Sequence, residues 1–170
     1  MLAAAALTGA VALSACGGGS AGAAGGGEGT VGLVAYSTPR EAYEEIIPAF
    51  QETEAGRGVT FEQSYGSSGE QSRAVEAGLP ADVVAFSLAP DLDRLVDAGL
   101  VAEGWSANEH DGMVTDSVVV LAVRESNPKD IQGWDDLLRD GVEVITPNPF
   151  TSGGARWNVM AAYGAQLELG

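Results

Sequence analysis

Thr146-Pro-Asn-Pro-Phe-Thr-Ser-Gly-Gly-Ala-Arg-Trp-Asn158 follows an apolar alternating run, Val142 to Ile145, and leads into Trp157 to Gln166, a segment of helix-forming composition. That order predicts a strand, a loop and a helix start. Pro147 and Pro149 stiffen the loop, and Ser152 is a good N-cap. Gly153 and Gly154 let a ligand reach main-chain N–H groups with no side chain in the way. Such a turn collects unpaired N–H donors at the positive end of a helix dipole, which suits an oxyanion. A capped, flexible turn that binds nothing would use the same residues, so the flanking chain has to decide between the two.

Working back from that loop, the same design recurs. Val59 to Gln63 reads as a strand, Ser64-Tyr-Gly-Ser-Ser-Gly-Glu-Gln71 as a Gly/Ser loop entering a helix from about Glu70 to Ala77, and Gly78 as its end. Thr30 to Ala35 is a short apolar run of the kind buried in a parallel sheet. Tyr36 to Pro39 turns, and Arg40 to Glu52 places Tyr43, Ile46, Ile47 and Phe50 at helical spacing. Ala81 to Phe86 predicts a third strand, followed by a helix with Leu92, Leu95 and Val96 on one face. Trp105 to Thr115 has no period and reads as a loop, Asp116 to Val123 as a β-branched strand, and Trp134 to Leu138 as a short helix. Strand and helix alternate, which predicts an α/β fold with a parallel sheet and right-handed crossovers. Ser37 and Thr38 then stand at a strand's C-terminal end, where open α/β sheets bind ligands, although capping accounts for them equally well.

The chain has 24 acidic and 8 basic residues and a formal charge of -16, so its overall field repels nucleic acid and anionic lipid headgroups. Local amide dipoles can still hold a small anion, because distant charges are screened beyond about 8 Å at physiological ionic strength. Three loops, at Ser37-Thr38, Ser67-Ser68-Gly69 and Ser152-Gly153-Gly154, bring hydroxyls and amides to helix starts. None carries a lysine at Walker spacing, and there is no Gly-x-Gly-x-x-Gly, so nucleotide binding is disfavoured. There is no Gly-x-Ser-x-Gly elbow, and His110 lacks a spaced partner set, so it reads as a surface residue and no metal or other cofactor is expected. What remains is a set of neutral donors arranged for an anion.

At the other end, Met1 to Gly27 carries no charge, and Met1 to Ala15 is an apolar run too short for a membrane span of about 20 residues. A secretory h-region fits it, with the basic n-region expected upstream. Leu13-Ser14-Ala15-Cys16 matches a bacterial lipobox, which makes Cys16 the lipidation site, and as the sole cysteine it leaves no intrachain disulfide. Gly17 to Gly27 reads as a flexible tether. Residues 1–28 are thus expected to be a signal remnant, lipobox and tether. At the far end, Ala161 to Gly170 stops inside a helical pattern, which predicts a truncated chain.

Ser64 to Gln71, Ala81-Asp-Val-Val84, Ser117 to Arg124 with Asn127-Pro-Lys129, Trp134-Asp-Asp-Leu137 and Gly141 to Asn158 together resemble the sulfate-binding proteins of bacterial ABC importers. The resemblance runs in order over Val31 to Gly170. It implies a two-lobed, type II periplasmic-binding-protein fold with mixed sheets and helices on both faces. Residues 29–115 would form the first lobe and 116–170 the start of the second. It implies an extracytoplasmic, lipid-anchored, monomeric receptor that binds sulfate, catalyses nothing, and hands its cargo to a membrane permease and an ATPase. By the same resemblance Ser68, Ser152, Gly153 and Gly154 hydrogen-bond the anion through hydroxyl and main-chain N–H groups. Ser37 stands where the family has an Asp that gives a backbone N–H, and Ser67 where it usually has Gly, which opens the question of that loop's backbone angles. Arg156 is expected to brace the loop, and Trp157 to be core.

The physics agrees with a sulfate ligand. Sulfate has no proton at neutral pH, so a donor-only pocket satisfies it, whereas hydrogenphosphate would face donors with its own O–H at a cost of about 1 to 3 kcal/mol. Thiosulfate is the alternative cargo. A hydrolase of sulfate or phosphate esters is the alternative of another class, and a chain that lacks its return crossover and binds nothing is a third.

Overall fold

The computed structural model describes residues 29–169. Its centre is β1 (Gly29–Tyr36), flanked by β2 (Val59–Gly66) and β3 (Val83–Ala85) in the order β2-β1-β3, all parallel. Each strand is followed by a helix: α1 (Arg40–Gln51), α2 (Ser68–Glu76) and α3 (Ala89–Asp97). The expected alternation is therefore present, with the helix starts near the expected residues. Among the described residues the sheet is wholly parallel, not mixed.

The apolar run of β1 has its explanation in the layers on both sides. Successive side chains of a strand point to opposite faces. Leu33 and Ala35 pack against Ile47 of α1, with Tyr43, Phe61 and Tyr65 around them. Val34 faces the other way, onto Val75 of α2 and Leu95 of α3. Leu95 is completely buried, and burying such a side chain contributes about 1.5 to 3 kcal/mol. Gly78 ends α2 at φ 107°, a left-handed angle that a side chain resists. Its N–H donates to Val75 O at 2.9 Å, and that of Leu79 to Ala74 O at 2.8 Å, which uses the last carbonyls of the helix.

β3 is shorter than the expected Ala81 to Phe86, because Asp82 joins β1 by a different route. Its N–H donates to Gly32 O at 2.9 Å, while its carboxylate Oδ2 accepts the Gly32 N–H at 2.8 Å. A side chain here replaces part of the main-chain ladder.

Two expected strands do not form. Residues 116–123 and 142–145 are irregular, with Val118, Val120, Val144 and Ile145 exposed. β-branched residues favour an extended backbone, but a strand exists only where a neighbour accepts its N–H and C=O groups. These segments have no such ladder among the described residues. Trp134–Leu138 does form one short 3-10 helix, and α4 (Gly153–Leu169) takes the two glycines into its first turn, starting before the expected Trp157. Trp105 to Thr115 is a succession of turns, as its lack of period implies.

Candidate anion site

The strand register places three serines along one edge. Tyr36 pairs with Gly66 and Ala35 with Ala85, so Ser37, Ser67 and Ser87 each lie just beyond the C-terminal edge of the sheet. α2 starts at Ser68 on that edge, and the start of α4 is folded against it: the Gly69 N–H donates to Thr151 O at 3.2 Å. A Cβ built on Gly153 would fall 2.1 Å from Ser87 Oγ and 3.0 Å from Leu88 Cγ, so the glycine is what lets α4 come this close. The structure thus brings the Ser67-Ser68-Gly69 and Thr151-to-Gly154 loops together, with Ser87 between them.

Each candidate donor can now be followed to its acceptor. Ser68 is buried, and its hydroxyl donates to Asp91 Oδ2 at 2.5 Å. Its oxygen also accepts the Ser87 N–H at 3.1 Å. A serine hydroxyl has one proton, so in this arrangement Ser68 has none left for a ligand. Asp91 is 3% exposed, and its main-chain O accepts the Ser72 hydroxyl at 2.7 Å. A carboxylate therefore stands inside what the sequence presented as a donor-only set. Ser37 is exposed, and both its N–H and its hydroxyl donate to Gly66 O, at 2.9 and 3.0 Å.

Ser152 caps α4: its Oγ accepts the Ala155 N–H at 3.2 Å. Gly153 and Gly154 are the first two residues of the helix, so their N–H groups have no intrahelical acceptor. Arg156 Nε donates to Pro149 O at 2.8 Å and ties the loop to its own helix. Trp157 is not core. It is 51% exposed, and its indole Nε1 donates to Ser87 O at 2.9 Å, because the first turn of α4 faces the sheet edge rather than a covered interior. Ser67 has φ -73° and ψ 142°, an extended conformation open to any residue, so serine at this position costs no backbone strain.

Two residues that sequence reading passed over belong to the site. Asp91 is an acid in the first turn of α3, and Ser87 a residue of the turn before it, and neither carries a local motif that singles it out. Only the register of the third strand shows that Ser87 matches Ser37 and Ser67. The Ser67 and Ser87 hydroxyl oxygens are both buried and have no hydrogen-bond partner among the described residues. Among the described residues no group of three or more His, Cys, Asp or Glu is placed to hold a metal ion. His110 lies on the surface, 3.5 Å from Glu109. A cavity of about 330 Å³ lies at the opposite end of α2, lined by Val75, Leu79, Pro80, Leu95 and Val101, away from the serine loops.

Residues 31–169 match the family described as bacterial extracellular solute-binding protein. The chain belongs to that family. Among its relatives, it is 45% identical over 166 residues to a sulfate-binding protein of Synechococcus elongatus, a match that covers 94% of this chain and 47% of that one. It is 42% identical over 142 residues to a thiosulfate-binding protein of Pseudomonas aeruginosa, covering 81% and 43%. Its structure is similar to that of the sulfate-binding protein SubI from Mycobacterium tuberculosis H37Rv, with a TM-score of 0.78 and 51% identity over 80% of this chain and 47% of that one. The chain spans about half the length of the curated relatives it matches.

Proposed function

We propose that this solute-binding family member is the sulfate-binding component of an ABC importer, a carrier that performs no chemistry on its ligand. The observation that carries the reading is the meeting of two helix starts, α2 and α4, at one sheet edge, with neutral hydroxyl and amide groups of Ser67, Ser68, Ser87, Gly153 and Gly154 gathered there. Helix N-termini and hydroxyls stabilise an oxyanion without a formal ion pair, which keeps release possible. The names of the relatives supply the anion.

In the whole protein, residues 29–115 belong to a first lobe and 116–170 open a second, a division supported by the end of the parallel sheet and its helices at α3 (Ala89–Asp97). The ligand-binding set is Ser37, Ser68, Ser152, Gly153 and Gly154, with Arg156 bracing the loop. In the described arrangement the N–H and hydroxyl of Ser37, the Ser68 hydroxyl and the Gly69 N–H are spent on protein acceptors. Binding therefore requires these groups to be handed from protein to anion as the lobes move, so that ligand contacts favour one arrangement over another. The protein works outside the cytoplasm, held by lipid on Cys16, which lies outside the described residues, and its partners are the permease and ATPase of the importer. Thiosulfate is the second reading, favoured by the thiosulfate-binding relative.

The test is a titration of the unlipidated protein with sulfate, followed by tryptophan fluorescence, with thiosulfate, molybdate and phosphate as competitors. Trp157 is a built-in reporter, since its indole bonds Ser87 O. Saturable binding that survives excess phosphate, and is lost in the Ser68→Ala, Ser152→Ala double variant, is the expected result. A flat response to sulfate and thiosulfate from folded protein would refute the reading.

A further inference from the structure

We propose that Ser87 is a ligand-binding residue, its hydroxyl donating to the tetrahedral oxyanion held where α2 meets α4. The inference rests on the oxyanion reading above and adds a donor to it. Its first ground is the count of protons. The Ser68 hydroxyl is committed to Asp91, the Gly69 N–H to Thr151 O, and the Ser37 donors to Gly66 O. The Ser87 hydroxyl is buried at the same junction with no acceptor among the described residues. An unpaired buried hydroxyl is unfavourable, and an anionic oxygen is the strongest acceptor that could relieve it.

The second ground is how firmly the rest of Ser87 is held. Its N–H donates to Ser68 Oγ at 3.1 Å, and its C=O accepts Trp157 Nε1 at 2.9 Å. The main chain is thus tied on one side to α2 and on the other to α4, leaving the hydroxyl only its staggered χ1 positions. The third ground is Gly153. A Cβ there would fall 2.1 Å from Ser87 Oγ, so the absence of a side chain at 153 makes room for this hydroxyl beside the first amides of α4. Ser87 Oγ then joins the Gly153 and Gly154 N–H groups as a further neutral donor at this junction.

Calorimetric titration of the full chain with sodium sulfate, wild type against Ser87→Ala, tests the inference, with the Tm of each measured with and without sulfate. Losing one hydrogen bond to an anion weakens binding about tenfold or more. The expected result is that loss, together with a sulfate-free Tm equal to or above wild type, because an unpartnered hydroxyl has been removed. Binding by Ser87→Ala within about twofold of a wild type that does bind would overturn the role of Ser87 and leave the proposed function standing. A sulfate-free Tm lowered by more than about 4 °C would mark the hydroxyl as a folding group and overturn the role as well. A wild type that binds neither sulfate nor thiosulfate would overturn both.

Discussion

Asp91 shows how much one side chain organises. Its carboxylate takes the Ser68 hydroxyl and its main-chain O takes that of Ser72, so α2 and α3 are joined through one buried residue. Removing the carboxylate leaves Ser68 without its acceptor, a loss of about 1.5 to 3 kcal/mol for a hydrogen bond to a charged group. We expect Asp91→Ala to lower the urea-unfolding free energy by about 2 kcal/mol, and to lower it far less in a Ser68→Ala background. Equal effects in both backgrounds would show that the two side chains are not coupled. The glycine pair in α4 makes a second contrast. A methyl at 153 meets Ser87 and Leu88, whereas one at 154 has only Ser152 Oγ nearby, at 3.7 Å. Gly153→Ala should cost about 1 to 3 kcal/mol through overpacking, while Gly154→Ala should be neutral or slightly stabilising, since alanine is the better helix former. Thermal denaturation of the two variants checks the ordering, and the reverse order would mean α4 does not sit against Ser87.

At the scale of elements, the 3-10 helix Trp134–Leu138 depends on Asp136. The N–H groups of Gln132 and Gly133 donate to its Oδ2 at 2.6 and 3.0 Å. These two bonds, Gln132 first, and then the charge of Arg139, hold the carboxyl below its ordinary value of 3.8, with partial desolvation opposing them. A carboxyl depressed in the folded state contributes stability above its unfolded pKa and loses it as pH falls through the folded one. The turn should therefore hold through mild acid and loosen only below pH 3.8. Following the Gln132 and Gly133 amide resonances against pH tests this, and a common midpoint at or above 3.8 would contradict it. The helices of the sheet domain need no such local device, because Ile47, Val75 and Leu95 anchor them to β1. Where that packing stops, after α3, strand-forming composition alone does not produce strands.

For the whole molecule, charge acts against the proposed cargo. A formal charge of -16 repels a dianion, so steering is unfavourable and the local donors must outweigh it at short range. Sulfate association should consequently speed up as sodium chloride rises from about 20 to about 200 mM, the reverse of the usual steering effect. Stopped-flow tryptophan fluorescence measures this directly. An association rate that falls with salt would mean that a local positive field at the mouth of the site dominates.

The α/β class, the three parallel strands centred on β1 and the five helical segments were legible in order, since apolar runs, helical spacing and Gly/Ser turns are local features written into consecutive residues. So were Ser152 as a cap and the two loops that meet. Sequence periodicity misled at 116–123 and 142–145, because β-branched composition reports a preference and pairing depends on a neighbour it does not encode. The hydrogen-bond state of the site was likewise out of reach: Ser68 and Asp91 are 23 residues apart, and Trp157 reaches Ser87 across 70. Local sequence determined which residues carry donors. Which donors are spent and which stay free was decided only by the tertiary structure, because a hydroxyl has one proton and its acceptor is chosen by whatever the fold brings within about 3 Å.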